Sequence, residues 1–190
     1  MFRKGVPYYS LALHGILVLL AASTMILSTQ VRRLERQLLP PEERLPWEAG
    51  EAIEPFPVAE LDGTPTLAPS AARDDHEELL FFFTTTCPAC KENQKQWKEL
   101  HRRLGDQVQV VGVSLDPTEP SVAYREAMEL PYRVVTVADR QAFAQEHELS
   151  AVPLTVHLGA DGKVLHTRIG ILSDQDVTDI LARSRVASSS

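Results

Sequence analysis

Cysteine is scarce in this chain: its 190 residues include two, Cys87 and Cys90. A single close pair excludes a scaffold stapled by several disulfides. It also speaks against a structural zinc site, which needs about four ligands, because there is no second cysteine pair and no His-x3-His spacing to complete one. Basic excess is lacking too. The 19 Lys and Arg are outnumbered by 26 Asp and Glu, giving a formal net charge of -7, and without a basic cluster no nucleic-acid partner is expected. No internal repeat appears, and no low-complexity stretch beyond the terminal serines. One long segment, residues 5–31, has no Asp, Glu, Lys or Arg at all.

That uncharged segment is the first positive feature. Between residues 11 and 27 it is mostly Leu, Ile, Val and Ala, and as a helix it is long enough to cross a hydrocarbon core of about 30 Å. Residues 1–31 are therefore expected to form an N-terminal membrane anchor. A cleaved signal peptide is the alternative, with Arg3 and Lys4 ahead of the apolar run and Ala21-Ala22-Ser23 as a small-residue site, but Met25-Ile26-Leu27 carry the apolar run past it. His14 reads as a neutral passenger. Arg32, Arg33, Arg36 and Arg44 follow the span, so the positive-inside rule alone would leave the remainder in the cytoplasm. Residues 32–54 read as a helical extension, ended by Pro40-Pro41, and a tether in which Trp47 is loosely packed.

A folded domain is expected over residues 55–186, with 187–190 as a disordered tail. Asp62-Gly63 between two β-rich runs signals a hairpin. Strands follow near 79–84, 108–115, 132–137, 154–158 and 163–168, the last two joined by Gly159-Ala160-Asp161-Gly162. Helices fall at 88–104, stopped by Gly105, after the loop 116–120 through Met128, at 140–148 capped by Asp139, and after Ser173, which pairs with Asp176 as a cap. Alternating strands and helices followed by a hairpin and a closing helix define an α/β class: a mixed central sheet flanked by helices.

The chain is organised around Leu79-Leu80-Phe81-Phe82-Phe83-Thr84-Thr85-Thr86-Cys87-Pro88-Ala89-Cys90. Here an apolar strand breaks into a Cys-Pro-Ala-Cys motif at a helix start. Pro88 suits the first helical position, where its missing N–H costs nothing. Cys87 just before it faces the free N–H groups of the first turn, which favour a thiolate. Cys90, one turn on, can close a disulfide with Cys87. It shares an apolar stripe with Trp97, Leu100 and Leu104, so it is the sheltered partner that resolves a mixed disulfide formed by Cys87. A structural disulfide closing so short a loop would constrain the unfolded chain little.

From about Phe56 to Ala182 the sequence resembles the thioredoxin fold, and specifically the membrane-anchored TlpA-like redoxins, with an architecture also similar to the MauD-type proteins. The resemblance rests on Leu61-Asp62-Gly63, the strand into Cys-Pro-x-Cys, Val111 to Asp116 as Val-Gly-Val-Ser-x-Asp, Val152-Pro153 before a strand, and Asp-Gly in the last hairpin. It implies a thiol-disulfide oxidoreductase acting on protein thiols or disulfides without a cofactor or metal. It also implies a catalytic domain on the extracytoplasmic side of the inner (cytoplasmic) membrane, with a membrane-embedded electron donor or acceptor as a possible partner. Catalysis would fall to Cys87 and Cys90, helix-start support to Thr86 and Pro88, and substrate binding to Val152 and Pro153. Pro153 would be cis, turning the backbone of Val152 toward Cys87 to hold an extended substrate segment; the alternative is an ordinary trans proline at a strand start. The chain departs from the family at Thr86 (Trp in relatives), Phe81 (a buried Asp or Asn) and Lys95 (Pro), leaving Glu78, Glu92 and Asp116 as candidate acids near Cys90. Two other functions fit the same thiols. One is a peroxiredoxin-like peroxidase, with Thr84 three residues before Cys87 but Leu80 where a proline is expected. The other is a copper metallochaperone using His157 or His147 as a third ligand.

Overall fold

The unbroken run Leu79-Leu80-Phe81-Phe82-Phe83 has no polar face to offer water. In the computed structural model, which describes residues 8–38, 45–70 and 76–187, it forms most of β3 (Glu77–Phe83), a strand buried at every position. Successive side chains of a strand point to opposite faces, so the run feeds two cores. Leu80 and Phe82 join one cluster with Phe56, Val113 and Phe143. Leu79, Phe81 and Phe83 join another with Cys90, Trp97 and Ile180.

The elements around it follow the order β1 (Phe56–Glu60), β2 (Pro65–Ala68), β3, α2 (Pro88–Leu104), β4 (Val108–Ser114), α3 (Thr118–Ala127), β5 (Arg133–Thr136), α4 (Arg140–Glu146), β6 (Leu154–Leu158), β7 (Val164–Ile169) and α5 (Asp174–Ala187). They build one seven-stranded sheet in the order β2-β1-β5-β4-β3-β6-β7. The pairs β3/β4 and β4/β5 are parallel, as helical crossovers require, while β1/β2, β1/β5, β3/β6 and β6/β7 are antiparallel. This is the mixed sheet with helices on both faces that the strand and helix pattern implies. The Asp62-Gly63 turn closes the first hairpin, with Gly63 at φ 88°, a conformation glycine adopts without steric cost. Asp139 caps α4 through Gln141 N and Ala142 N, and Ser173 and Asp176 cap α5 reciprocally.

Two expectations are corrected. Residues 45–55 are not a loose tether: Trp47 is 8 % exposed and Ile53 1 %, and the Trp47 ring lies 5.5 Å from that of Phe82. The backbone is fixed as well, with Gly50 N–H donating to Val164 O at 2.8 Å and Ala52 bridging Lys163. Burying such a side chain is worth about 1.5–3 kcal/mol, enough to hold a short polar segment against the sheet, so the packed unit begins at Leu45. Secondly, β3 starts at Glu77 rather than Leu79, because both glutamates find partners inside: Glu77 with His157 at 2.7 Å and Glu78 with Ser70 N–H at 2.9 Å. Residues 71–75 between β2 and β3, the Pro40-Pro41 break and residues 188–190 of the expected tail lie outside the described residues.

α1 (Tyr8–Leu38) is a separate, continuous helix of 31 residues. Its described large apolar side chains, from Leu13 to Val31, are exposed. Among the described residues no helix is long and apolar enough to cross a membrane.

Candidate active site

The site forms where β3 gives way to α2. Pro88 occupies the first turn of α2 and Cys87 is the residue that caps it, with extended backbone at φ -77° and ψ 116°. Caps are normally oxygens that accept a first-turn N–H; here Cys87 Sγ accepts from Cys90 N–H at 3.1 Å. A sulfur so placed gains from the N–H dipoles when it is anionic, which favours thiolate over thiol once the pair is reduced. Cys87 and Cys90 are joined as a disulfide with Cα atoms 5.2 Å apart, within the usual range. Their exposures differ sharply. Cys87 is half-buried, whereas Cys90 is fully buried in the cluster of Phe81, Phe83 and Trp97.

The threonines that precede Cys87 fix its approach. Thr84 O accepts from Cys87 N–H at 3.3 Å. Thr85 donates both its N–H and its hydroxyl to Asp116 Oδ2, at 2.6 and 2.7 Å. Asp116 follows β4, the strand paired with β3, so it buttresses the loop from the neighbouring strand. Thr86 is exposed beside Cys87.

From the other side comes the loop before β6. The Val152–Pro153 peptide is cis, Val152 O stands 3.8 Å from Cys87 Sγ, and buried Pro153 accepts from Gly170 N–H at 2.8 Å. The chain thus brings Val152 against the half-exposed sulfur. A second cis bond, Ala68–Pro69, has no counterpart in the sequence reading.

Other candidates are kept apart. Glu78 lies toward the far end of β3, five residues before Phe83, roughly 17 Å along a strand, and Glu92 is exposed on α2. Neither can serve Cys90 as a buried acid, and Asp116 is occupied by Thr85. His157, fully buried, is held by Glu77 at that same far end. His147 packs on Trp47, Phe56 and Phe143 in the cluster on the opposite sheet face from Cys90. Neither histidine is positioned as a third metal ligand beside the sulfurs.

In place of an acid, Phe81 stacks on Trp97 with centroids 4.7 Å apart and planes at 9°. Around this pair runs a neutral polar network. Trp97 Nε1–H donates to Thr155 Oγ1 at 2.9 Å, tying α2 to the strand that follows Pro153. Tyr132 O–H donates to Gln94 Oε1 at 2.6 Å, and Gln94 Nε2–H to Tyr124 at 3.3 Å. Burial, then the neighbouring Tyr124, pushes the Tyr132 phenol upward against the opposing hydrogen bond with Gln94, so it remains a donor. Asn93 and Gln94 belong to no motif in the sequence, and the signal that marks them is their spacing, three and four residues after Cys90 on its helical face.

A family model described as Redoxin matches residues 48–182. No curated protein matches the chain. Among solved structures it is similar to the thioredoxin domain of a thiol-disulfide oxidoreductase from Bacteroides vulgatus (14 % identity, TM-score 0.61, 72 % of this chain and 96 % of that one). It is also similar to a secreted disulfide oxidoreductase of Mycobacterium tuberculosis (17 %, 0.55, 67 % and 95 %). A third is the peroxidoxin BcpB of the same organism (22 %, 0.60, 74 % and 97 %). These likenesses give the thioredoxin-like fold, and with the matched span running from the packed segment ahead of β1 through the Cys pair to α5, the chain belongs to the redoxin family as a thioredoxin-like oxidoreductase.

Proposed function

We propose that this protein exchanges disulfides with protein substrates through Cys87 and Cys90, in the manner of the TlpA-like redoxins, while anchored to the inner membrane with its catalytic domain on the extracytoplasmic side. The observation that carries the chemistry is the asymmetry of the pair: one sulfur caps a helix and is half-exposed, the other is fully buried one turn later.

In the reducing direction the Cys87 thiolate attacks a substrate disulfide. A Cys87–substrate S–S bond forms, and the first substrate sulfur leaves with the electron pair and takes a proton. The Cys90 thiolate then attacks Cys87 Sγ, closing the intramolecular disulfide and releasing the second substrate thiolate. Two electrons and two protons pass to the substrate. The oxidising direction is the reverse, and the proximity of Val152 O to Cys87 suits an extended substrate segment paired strand-like across the site. The reacting sulfurs supply the chemistry; Phe81 leaves no carboxylate at its position, so the Cys90 proton must pass to solvent or substrate.

The anchor is supported by the uncharged run over 5–31, part of whose side chains lie outside the described set, and by the exposed apolar residues of α1. The extracytoplasmic side rests on the resemblance to TlpA-like proteins, against the arginines that follow the span.

The test is reduction of insulin disulfides by the full chain. Wild type is expected to turn over, Cys87→Ser to lose all activity, and Cys90→Ser to stall as a trapped mixed disulfide. Unchanged exchange by Cys87→Ser would refute the proposal, and efficient consumption of hydrogen peroxide without insulin reduction would assign a peroxidase instead.

A further inference from the structure

Asn93 lies on α2 one turn beyond Cys90 and is fully buried. A buried amide needs partners, and it has one: Asn93 Oδ1 accepts from Leu172 N–H at 2.9 Å. Its Nδ2 has no hydrogen-bond partner among the described residues, so what this position supplies is a single acceptor oxygen.

Leu172 belongs to the short segment between β7 and α5. Two residues earlier, Gly170 donates its N–H to Pro153 O at 2.8 Å. Gly170 has φ +95°, a region where a side chain would be strained, and this turn lets the chain leave β7 toward α2. The segment from Gly170 to Leu172 is therefore hydrogen-bonded at one end to the loop carrying Val152 and Pro153, and at the other to the helix that Cys87 caps and that carries Cys90. Val152 O, 3.8 Å from Cys87 Sγ, closes the ring.

We infer that Asn93 is a positioning residue that sets the gap between Cys87 and the Val152–Pro153 loop, and through it the fit of an extended protein substrate. The inference rests on the disulfide-exchange reading above. An acceptor at residue 93 holds Leu172; Leu172 holds the segment; Gly170 in the same segment holds Pro153. Removing the acceptor leaves the buried Leu172 N–H unpaired, which is costly enough to shift the segment. A small disulfide that meets only Cys87 has no need of the gap.

The test compares reduced wild type, Asn93→Leu and Asn93→Asp, each as the full chain, on insulin and on 2-hydroxyethyl disulfide. A buried aspartic acid favours its neutral form, which keeps the acceptor oxygen and puts an O–H in place of an amide nitrogen that has no partner among the described residues. Asn93→Leu is expected to raise KM for insulin about tenfold, leave kcat and the rate with 2-hydroxyethyl disulfide unchanged, and leave the pH profile of Cys87 alkylation unmoved. Asn93→Asp is expected to behave as wild type. An unchanged KM in Asn93→Leu, or equal losses on both disulfides, would overturn the inference. Wild type inactive on both would instead remove the exchange reading. Amide hydrogen exchange decides the brace in either case, or if Asn93→Leu folds poorly. In wild type the Leu172 and Gly170 amides should be protected to the same degree, and in Asn93→Asp both should stay so; an unprotected Leu172 amide in wild type contradicts the brace.

Discussion

A sulfur stands where most helices place a capping oxygen. At Cys87 that substitution turns a local solution for an orphan N–H into a reactive group, because the dipoles that hold the cap also favour its anion. The identity of this residue was legible from Pro88 and the threonines ahead of it. What holds it was less so. Asp116 reads in sequence as a loop residue, yet it is 15 % exposed and accepts two hydrogen bonds from Thr85, a contact across 31 positions that no local pattern announces. Hydrogen bonds to a charged group contribute about 1.5–3 kcal/mol. Asp116→Ala is expected to lower unfolding stability in urea by about 2–3 kcal/mol, and Asp116→Asn, which keeps an acceptor oxygen, by less than half of that. Equal midpoints for Asp116→Ala and wild type would contradict the buttress.

Between elements, the features that sequence conveyed best were those set by short-range chemistry. α2 runs from Pro88 to Leu104 as its proline start and Gly105 stop imply, and Asp139 and Ser173 cap the helices they precede. Elements defined by distant partners were harder to delimit. Glu77 and Glu78 look like a solvated connection until β6 and α5 are folded over them. There Glu77 Oε2 meets His157 Nε2 at 2.7 Å, and Ser184 of α5 lies 3.4 Å from the same nitrogen, so the cluster fastens three elements. Burial pushes the Glu77 carboxyl upward, but the hydrogen bond and charge of His157 and the Ser184 hydroxyl outweigh it, leaving the group below its ordinary 4.5. A folded-state value depressed in this way adds stability above the unfolded value, and that stability is lost as pH falls through the folded one. Wild type should lose thermal stability below about pH 4.5 more steeply than Glu77→Gln does. Melting curves from pH 6 to 3 of equal slope would contradict this assignment.

For the whole molecule, the α/β class and the mixed sheet flanked by helices were readable because alternation of strand and helix leaves few topologies once right-handed crossovers are required. The sheet order β2-β1-β5-β4-β3-β6-β7 then puts the Cys motif at the C-terminal end of a central strand, flanked by Asp116 after one neighbour and Val152 before the other. Sequence misplaced the start of the packed unit, because the burial of Trp47 depends on Phe82 and His147 far along the chain. The central claim is that this scaffold makes two chemically identical thiols unequal, and timed alkylation of the reduced protein at neutral pH tests it most directly. With mass spectrometry assigning each site, Cys87 should be modified at least about tenfold faster than Cys90, its rate holding up at pH values well below those at which an ordinary thiol ionises. Equal, sluggish rates at both sulfurs, or faster labelling of Cys90, would contradict it.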